Sequence, residues 1–131
     1  MATAVDRAGW VLRALVSAHL VAIFGQPVFA GVYLSGQYDG LRLHAAGADV
    51  VTSLGYLQLI AAAVAWARTR RSGLFLSTLA LVTAETVQYF AGRGGSLWLH
   101  LPLGVATIAG VVVQFIAVWQ RPIARREAAD E

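Results

Sequence analysis

Two histidines carry the clearest chemistry in this chain, because each stands in the same setting. His44 ends the stretch Tyr33-Leu-Ser-Gly-Gln-Tyr-Asp-Gly-Leu-Arg-Leu-His44, and His100 ends Tyr89-Phe-Ala-Gly-Arg-Gly-Gly-Ser-Leu-Trp-Leu-His100. At an offset of 56 residues Tyr33/Tyr89, Gly36/Gly92, Leu41/Leu97, Leu43/Leu99 and His44/His100 coincide without a gap. The same offset pairs Gln58, Ile60 and Ala61 with Gln114, Ile116 and Ala117. This self-similarity reads as an internal duplication, with copies at about 9–69 and about 72–121. Imidazole is the side chain that most often binds a metal and that changes charge near neutral pH. Two of them at repeat-related positions are candidates to share one metal.

Something must hold these side chains level with each other, and the composition says what. Hydrophobic residues make up 58% of the 131 residues and charged residues only 13%, the latter clustered between long apolar runs. That pattern belongs to a polytopic membrane protein rather than a water-soluble domain. Four segments reach the length of a span: about 9–34 (with Pro27 inside, predicting a kink near Ile23 and Phe24), 43–67, 73–91 and 97–120. Ser72 and Ser96 are placed as N-caps of the last two. The connections 37–42, 68–73 and 92–95 are short, so consecutive helices are antiparallel neighbours. The expected fold is all-α: an integral membrane four-helix up-down-up-down bundle, one domain over 1–131, built from a duplicated helix pair. A cleavable leader is the rival reading of the first segment, with Arg7 and Arg13 before an apolar core and Val28-Phe-Ala30 as a cleavage motif. The repeat, which pairs helix 1 with helix 3, favours a retained helix.

Arginine supplies all ten basic residues. Arg7, Arg13, Arg68, Arg70, Arg71, Arg121, Arg125 and Arg126 fall at one end of the spans, against Arg42 and Arg93 at the other. The excess of positive charge marks the cytoplasmic side, so both termini are expected there, in a bacterial cytoplasmic membrane. Trp10, Trp66 and Trp119 would mark the cytoplasmic interface, and Tyr33, Tyr38, Tyr89 and Trp98 the outer one. The net charge of +3 resides at segment ends and does not indicate nucleic-acid binding. The absence of Cys excludes disulfides, thiolate metal sites and covalently attached c-type haem. The tail Arg125-Arg-Glu-Ala-Ala-Asp-Glu131 reads as a solvated end.

Small residues follow each histidine. Helix 2 places His44, Gly47, Ala48, Val51, Gly55 and Gln58 on one stripe, and helix 4 places His100, Gly104, Thr107, Val111 and Gln114 on another. Facing imidazoles over a floor of Gly47 and Gly104 leave room for a flat metal macrocycle with two axial nitrogens. Arg42 and Arg93 flank the histidines on the outer side and suit its carboxylates. The alternative is that each histidine sits at the membrane interface and bonds water, with the glycines serving close helix packing.

Leu-His44-Ala-Ala-Gly and Leu-His100-Leu-Pro-Leu-Gly, opening the second and fourth of four helices, resemble one half of haem A synthase and the small four-helix b-type cytochromes of bacterial membranes. The resemblance implies a haem b with His44 and His100 as axial ligands. Haem A synthases carry an acid three residues before a ligating histidine, where Leu41 and Leu97 stand here, and a cysteine pair that these 131 residues lack. The resemblance therefore implies haem binding, electron transfer or haem handling near the outer face, rather than haem hydroxylation. No catalytic residue is assigned; the enzymatic version would be a haem-dependent oxidoreductase. The expected partners are membrane lipid and another membrane protein or redox partner, with a quinone as a candidate.

Five further polar residues interrupt the spans: His19, Gln26, Asp49, Glu85 and Gln88. They read either as a proton-coupling or quinone cluster behind the haem ligands, or as interhelical hydrogen bonds, the latter favoured for Gln26 and Gln88. His19 lies deeper than the other two histidines and reads as a satisfied core residue or a second-site ligand. A haem-free accessory subunit, or a small transporter that relies on Glu85, is the rival function.

Overall fold

In hydrocarbon every backbone amide must find its partner within the chain, and a helix does this locally. The four apolar segments are all helical in the computed structural model, which describes residues 4–120, with side chains from residue 8. The helices are α1 (Ala4–Leu34), α2 (Asp39–Thr69), α3 (Gly73–Arg93) and α4 (Leu97–Gln120). All four are long and apolar enough to cross a membrane. The side chain of Arg7, together with Arg121, Arg125, Arg126 and the remaining tail, lies outside the described residues.

The helices extend beyond the apolar runs that announced them. α2 begins at Asp39, whose carboxylate in the first turn complements the partial positive charge of the helix start. Pro27 and Pro102 are carried inside continuous α1 and α4. Ser72 does precede α3, but its side chain makes no capping bond; its carbonyl accepts from Leu76 N–H at 2.9 Å. Gly36 (φ 89°) and Gly95 (φ 74°) turn the first and third connections in the left-handed region, where a Cβ would be strained.

α1 packs on α2, α2 on α3, α3 on α4, and α4 closes the ring on α1. Contacting residues run in opposite senses: Gln26 meets Gly47 and His19 meets Gly55, while Gln88 meets Gly104 and Leu81 meets Gly110. Neighbours are therefore antiparallel, and α1/α3 and α2/α4 are the two diagonals. Leu12, Val16 and Val118 fill one end of the interior, and Ile23, Val51 and Val111 fill the middle. Polarity is inverted relative to a water-soluble bundle. Val21, Leu34 and Val105 face outward, whereas His19, Gln58, Thr78, Glu85, Thr107 and Gln114 are buried.

Aromatic residues mark the two ends. Trp10 and Trp119 meet edge-on at 6.1 Å, with the Arg13 guanidinium 5.1 Å from each ring. Trp66 stacks on Phe75 at 4.7 Å beside the α2–α3 connection, at that same end. Tyr33 and Tyr38 pair at 6.2 Å at the opposite end.

Candidate functional site

α2 and α4 are diagonal, yet their histidines meet. The His44 and His100 ring centroids are 5.9 Å apart, with the ring planes at 82°. Both rings are half-buried. Nδ1 of His44 lies 3.0 Å from the Gln26 carbonyl, and Nδ1 of His100 lies 2.9 Å from the Gln88 carbonyl. A carbonyl only accepts, so each Nδ1 carries the hydrogen and each Nε2 keeps a free lone pair. Each ring is thus oriented by the helix that precedes its own, in the manner that orients metal-bound histidines.

The surrounding atoms leave little slack. A Cβ at Gly92 would come within 2.7 Å of Nδ1 and Cε1 of His100, so glycine there is a condition of the ring's position. Gly47 lies against the Gln26 amide, and a Cβ at Gly104 would come within 3.2 Å of Nε2 of Gln88. The interhelical bond expected of the Gln26 side chain is not made: its Nε2 and Oε1 are buried and have no hydrogen-bond partner. Its contribution is the backbone carbonyl instead.

Arg42 and Arg93 turn elsewhere. Arg42 reaches Asp39 at 3.4 Å, both strongly exposed. Arg93 lies 4.0 Å from Asp49 and 5.4 Å from the Tyr89 ring centroid. Asp49 itself is 61% exposed and accepts from the Tyr89 hydroxyl at 2.7 Å, so it belongs to the outer surface of α2 and α3 rather than to the histidine pair. Here a groove of about 250 Å³ runs between the two helices, lined by Asp49, Thr52, Ser53, Tyr56, Thr86 and Tyr89 among others.

Below the histidine pair, both diagonals are bridged again. On one, His19 Nε2 of α1 lies 2.9 Å from Glu85 Oε1 of α3. On the other, Gln58 Nε2 of α2 donates to Gln114 Oε1 of α4. His19 Nδ1, 3.0 Å from Gln58 Oε1, ties the diagonals together. Gln114 Nε2 goes on to Thr78 Oγ1 at 2.7 Å and Ser77 Oγ at 3.3 Å. His19 is therefore a satisfied core histidine, as one reading of the sequence had it. Its pairing with Glu85, 66 residues away, has no counterpart in the repeat and could be inferred only from both being ionisable groups within spans.

The residues that the 56-residue offset pairs on α2 and α4, His44/His100 and Gln58/Gln114, meet each other. On α1 and α3 the residues whose carbonyls hold the histidines, Gln26 and Gln88, are not paired by that offset. Gly36 lies in a connection while Gly92 lies within α3, so that pair of identities does not occupy matching positions. No protein-family model, no curated protein and no solved structure matches this chain. Among the described residues no group of three or more His, Cys, Asp or Glu side chains could hold a metal ion. The imidazoles of His44 and His100 stand as a pair.

Proposed function

We propose that the chain is a membrane protein that holds one haem b between His44 and His100 and serves electron transfer or haem handling. One observation carries this reading. If two imidazoles bind a single metal from opposite sides at the usual length of about 2 Å, their ring centroids come to about 6 Å apart, and these stand at 5.9 Å. A two-histidine set suits a metal whose other positions are filled by a macrocycle. The glycines at 47, 92 and 104 let the side chains of Gln26, His100 and Gln88 lie against the helix backbones, and the partnerless Gln26 amide offers a donor and an acceptor to a group placed there.

Haem, if bound there, would supply one-electron redox chemistry. His44 and His100 would hold it through Nε2, and the carbonyls of Gln26 and Gln88 fix both ring tautomers and would strengthen the nitrogens as ligands. Arg42 and Arg93 serve the haem carboxylates only by leaving Asp39 and Asp49, both exposed and weakly held. The α2–α3 groove, with its hydroxyls and aromatic rings open to lipid, is where a quinone partner would approach.

The same reading places both termini in the cytoplasm of a bacterial cell and the histidine pair near the outer face, because arginine gathers at the Trp10/Trp119 end. It treats α1–α2 and α3–α4 as two copies of one hairpin, with the first lengthened at its connection. The purified protein is expected to show the Soret and reduced α bands of a low-spin b haem at one haem per chain. His44→Ala and His100→Ala should each abolish that spectrum or convert it to a high-spin form. An unpigmented protein that cannot take up added haem, or a spectrum unchanged in both variants, contradicts the proposal.

A further inference from the structure

Polar side chains on the outward face of a span are costly in hydrocarbon, so a cluster of them calls for a guest. The groove between α2 and α3 is lined by Asp49, Thr52, Ser53 and Tyr56 on one side and by Thr86 and Tyr89 on the other. On α2 they recur at steps of three and four, so one face carries them for about two turns, roughly 10 Å. Their hydrogens can be traced. Ser53 Oγ donates to the Asp49 carbonyl at 2.7 Å, and Thr86 Oγ1 donates to the Val82 carbonyl at 2.7 Å. Thr86 then has no hydrogen left, so its 3.0 Å contact with Tyr56 is a bond donated by the Tyr56 hydroxyl. Tyr89 donates to Asp49 Oδ1 at 2.7 Å. Every lining hydroxyl except that of Thr52 has thus given its hydrogen within the protein. What the groove offers a guest is lone pairs, those of the Ser53 and Tyr56 oxygens and of the Asp49 carboxylate.

Lone pairs call for a hydrogen-bond donor, and a carboxylate among them favours a cationic one. The rim adds the opposite charge. Arg93 stands 4.0 Å from Asp49 Oδ1, too far for a hydrogen bond, and both side chains are well exposed. Its guanidinium lies over the Tyr89 ring and suits a phosphate. A carboxylate and a guanidinium side by side, loosely paired, match a head group that carries ammonium and phosphate together. The level fits as well. Arg93 is the last residue of α3, whose 21 residues rise about 31 Å, close to the thickness of bilayer hydrocarbon. Further into the span the two faces turn apolar: Ile60 lies one turn beyond Tyr56 and Leu79 two turns before Thr86, both exposed. A polar upper half above an apolar lower half is the profile of a phospholipid.

We infer that the α2–α3 groove is a binding site for one phospholipid with a primary ammonium head group, phosphatidylethanolamine. Its ammonium donates to the Asp49 carboxylate and the neighbouring hydroxyl oxygens, its phosphate accepts from Arg93, and its acyl chains follow Ile60 and Leu79. A choline head group carries the same charges but no N–H, so it would cover those acceptors with methyl groups and leave them without partners. The inference rests on the groove and on the membrane reading, not on haem. A quinone approaching the same groove brings only acceptor oxygens and enters by displacing the lipid.

Native mass spectrometry of the detergent-purified protein, titrated in turn with dioleoyl phosphatidylethanolamine, phosphatidylcholine and phosphatidylglycerol, tests this whether or not the protein is pigmented. One phosphatidylethanolamine per chain should be held about tenfold more tightly than phosphatidylcholine, the scale of one charge-assisted hydrogen bond. Asp49→Asn should abolish that preference, and Arg93→Gln should weaken retention of both lipids. Both residues are exposed, so the substitutions leave the interior intact, and unchanged helix content by circular dichroism checks this. Equal retention of phosphatidylethanolamine and phosphatidylcholine, or a preference that survives Asp49→Asn, overturns the inference. So does phosphatidylglycerol held as tightly as phosphatidylethanolamine, because arginine alone would then account for binding. In native membranes a photo-crosslinker on Phe90→Cys, the only thiol in the chain and one that lines the groove, is expected to capture phosphatidylethanolamine. A discrete protein captured there instead would make the groove a protein interface and overturn the assignment to lipid.

Discussion

At Gly92 one hydrogen atom decides whether His100 keeps its place. A methyl there would lie 2.7 Å from the ring, and the ring can escape only by leaving the Gln88 carbonyl. Gly92→Ala should weaken haem retention about 10- to 100-fold, the usual effect of disturbing the group behind a metal-bound histidine. Gly9→Ala, whose added carbon meets nothing within 4 Å, should leave retention unchanged; haem titration of both variants checks this. Gln58→Leu removes the acceptor of His19 Nδ1–H and the donor to Gln114 in one step. It should lower stability by about 1–3 kcal/mol in reversible unfolding from mixed micelles. Asp49→Asn, at 61% exposure, should change stability by less than about 0.5 kcal/mol in the same assay. The repeat made His44, His100, Gln58 and Gln114 legible, because two copies of a polar residue in an apolar face draw attention. It could not reveal Gln26 and Gln88 as anchors: they act through carbonyls, which every residue carries.

Helix ends were less legible than helices, for a physical reason. Apolar periodicity reports where hydrocarbon is, not how far a helix continues into the polar region, so α2 starts four residues before the first expected one. The Gln26–His44 pair spans 18 residues and the Gln88–His100 pair 12, so a constant offset of 56 aligns the histidines and not the residues whose carbonyls hold them. The α1–α2 pair is held close to its connection by Gly40, where a Cβ would strike the Tyr33 backbone nitrogen and the Phe29 carbonyl. Backbone cannot yield as a flexible side chain does. Gly40→Ala should spread the hairpin and lower stability by about 1–3 kcal/mol, the range for overpacking, in the same unfolding assay.

For the molecule as a whole, inversion of polarity is the property from which the others follow. Outward Val, Leu and Phe leave the interior to polar side chains, and the bundle stacks these in two tiers: the half-buried His44/His100 pair above, the crossed diagonals below. The spans and their all-helical class could be read from composition alone. The crossing of the diagonals could not, because it depends on which faces meet. As the chain has no Cys, one introduced thiol reports its own side of the membrane. Gln37→Cys is expected to react with a membrane-impermeant reagent added to intact cells, and Arg70→Cys only after lysis. The reverse pattern would invert the orientation and leave the bundle as described.

The reduced-minus-oxidised absorption spectrum of the purified protein, recorded beside His44→Ala and His100→Ala, tests the central claim most directly. A low-spin b-type spectrum at one haem per chain that each substitution removes or turns high-spin is the expected result. A colourless protein that rejects added haem, or a pigment that survives both substitutions, would contradict it.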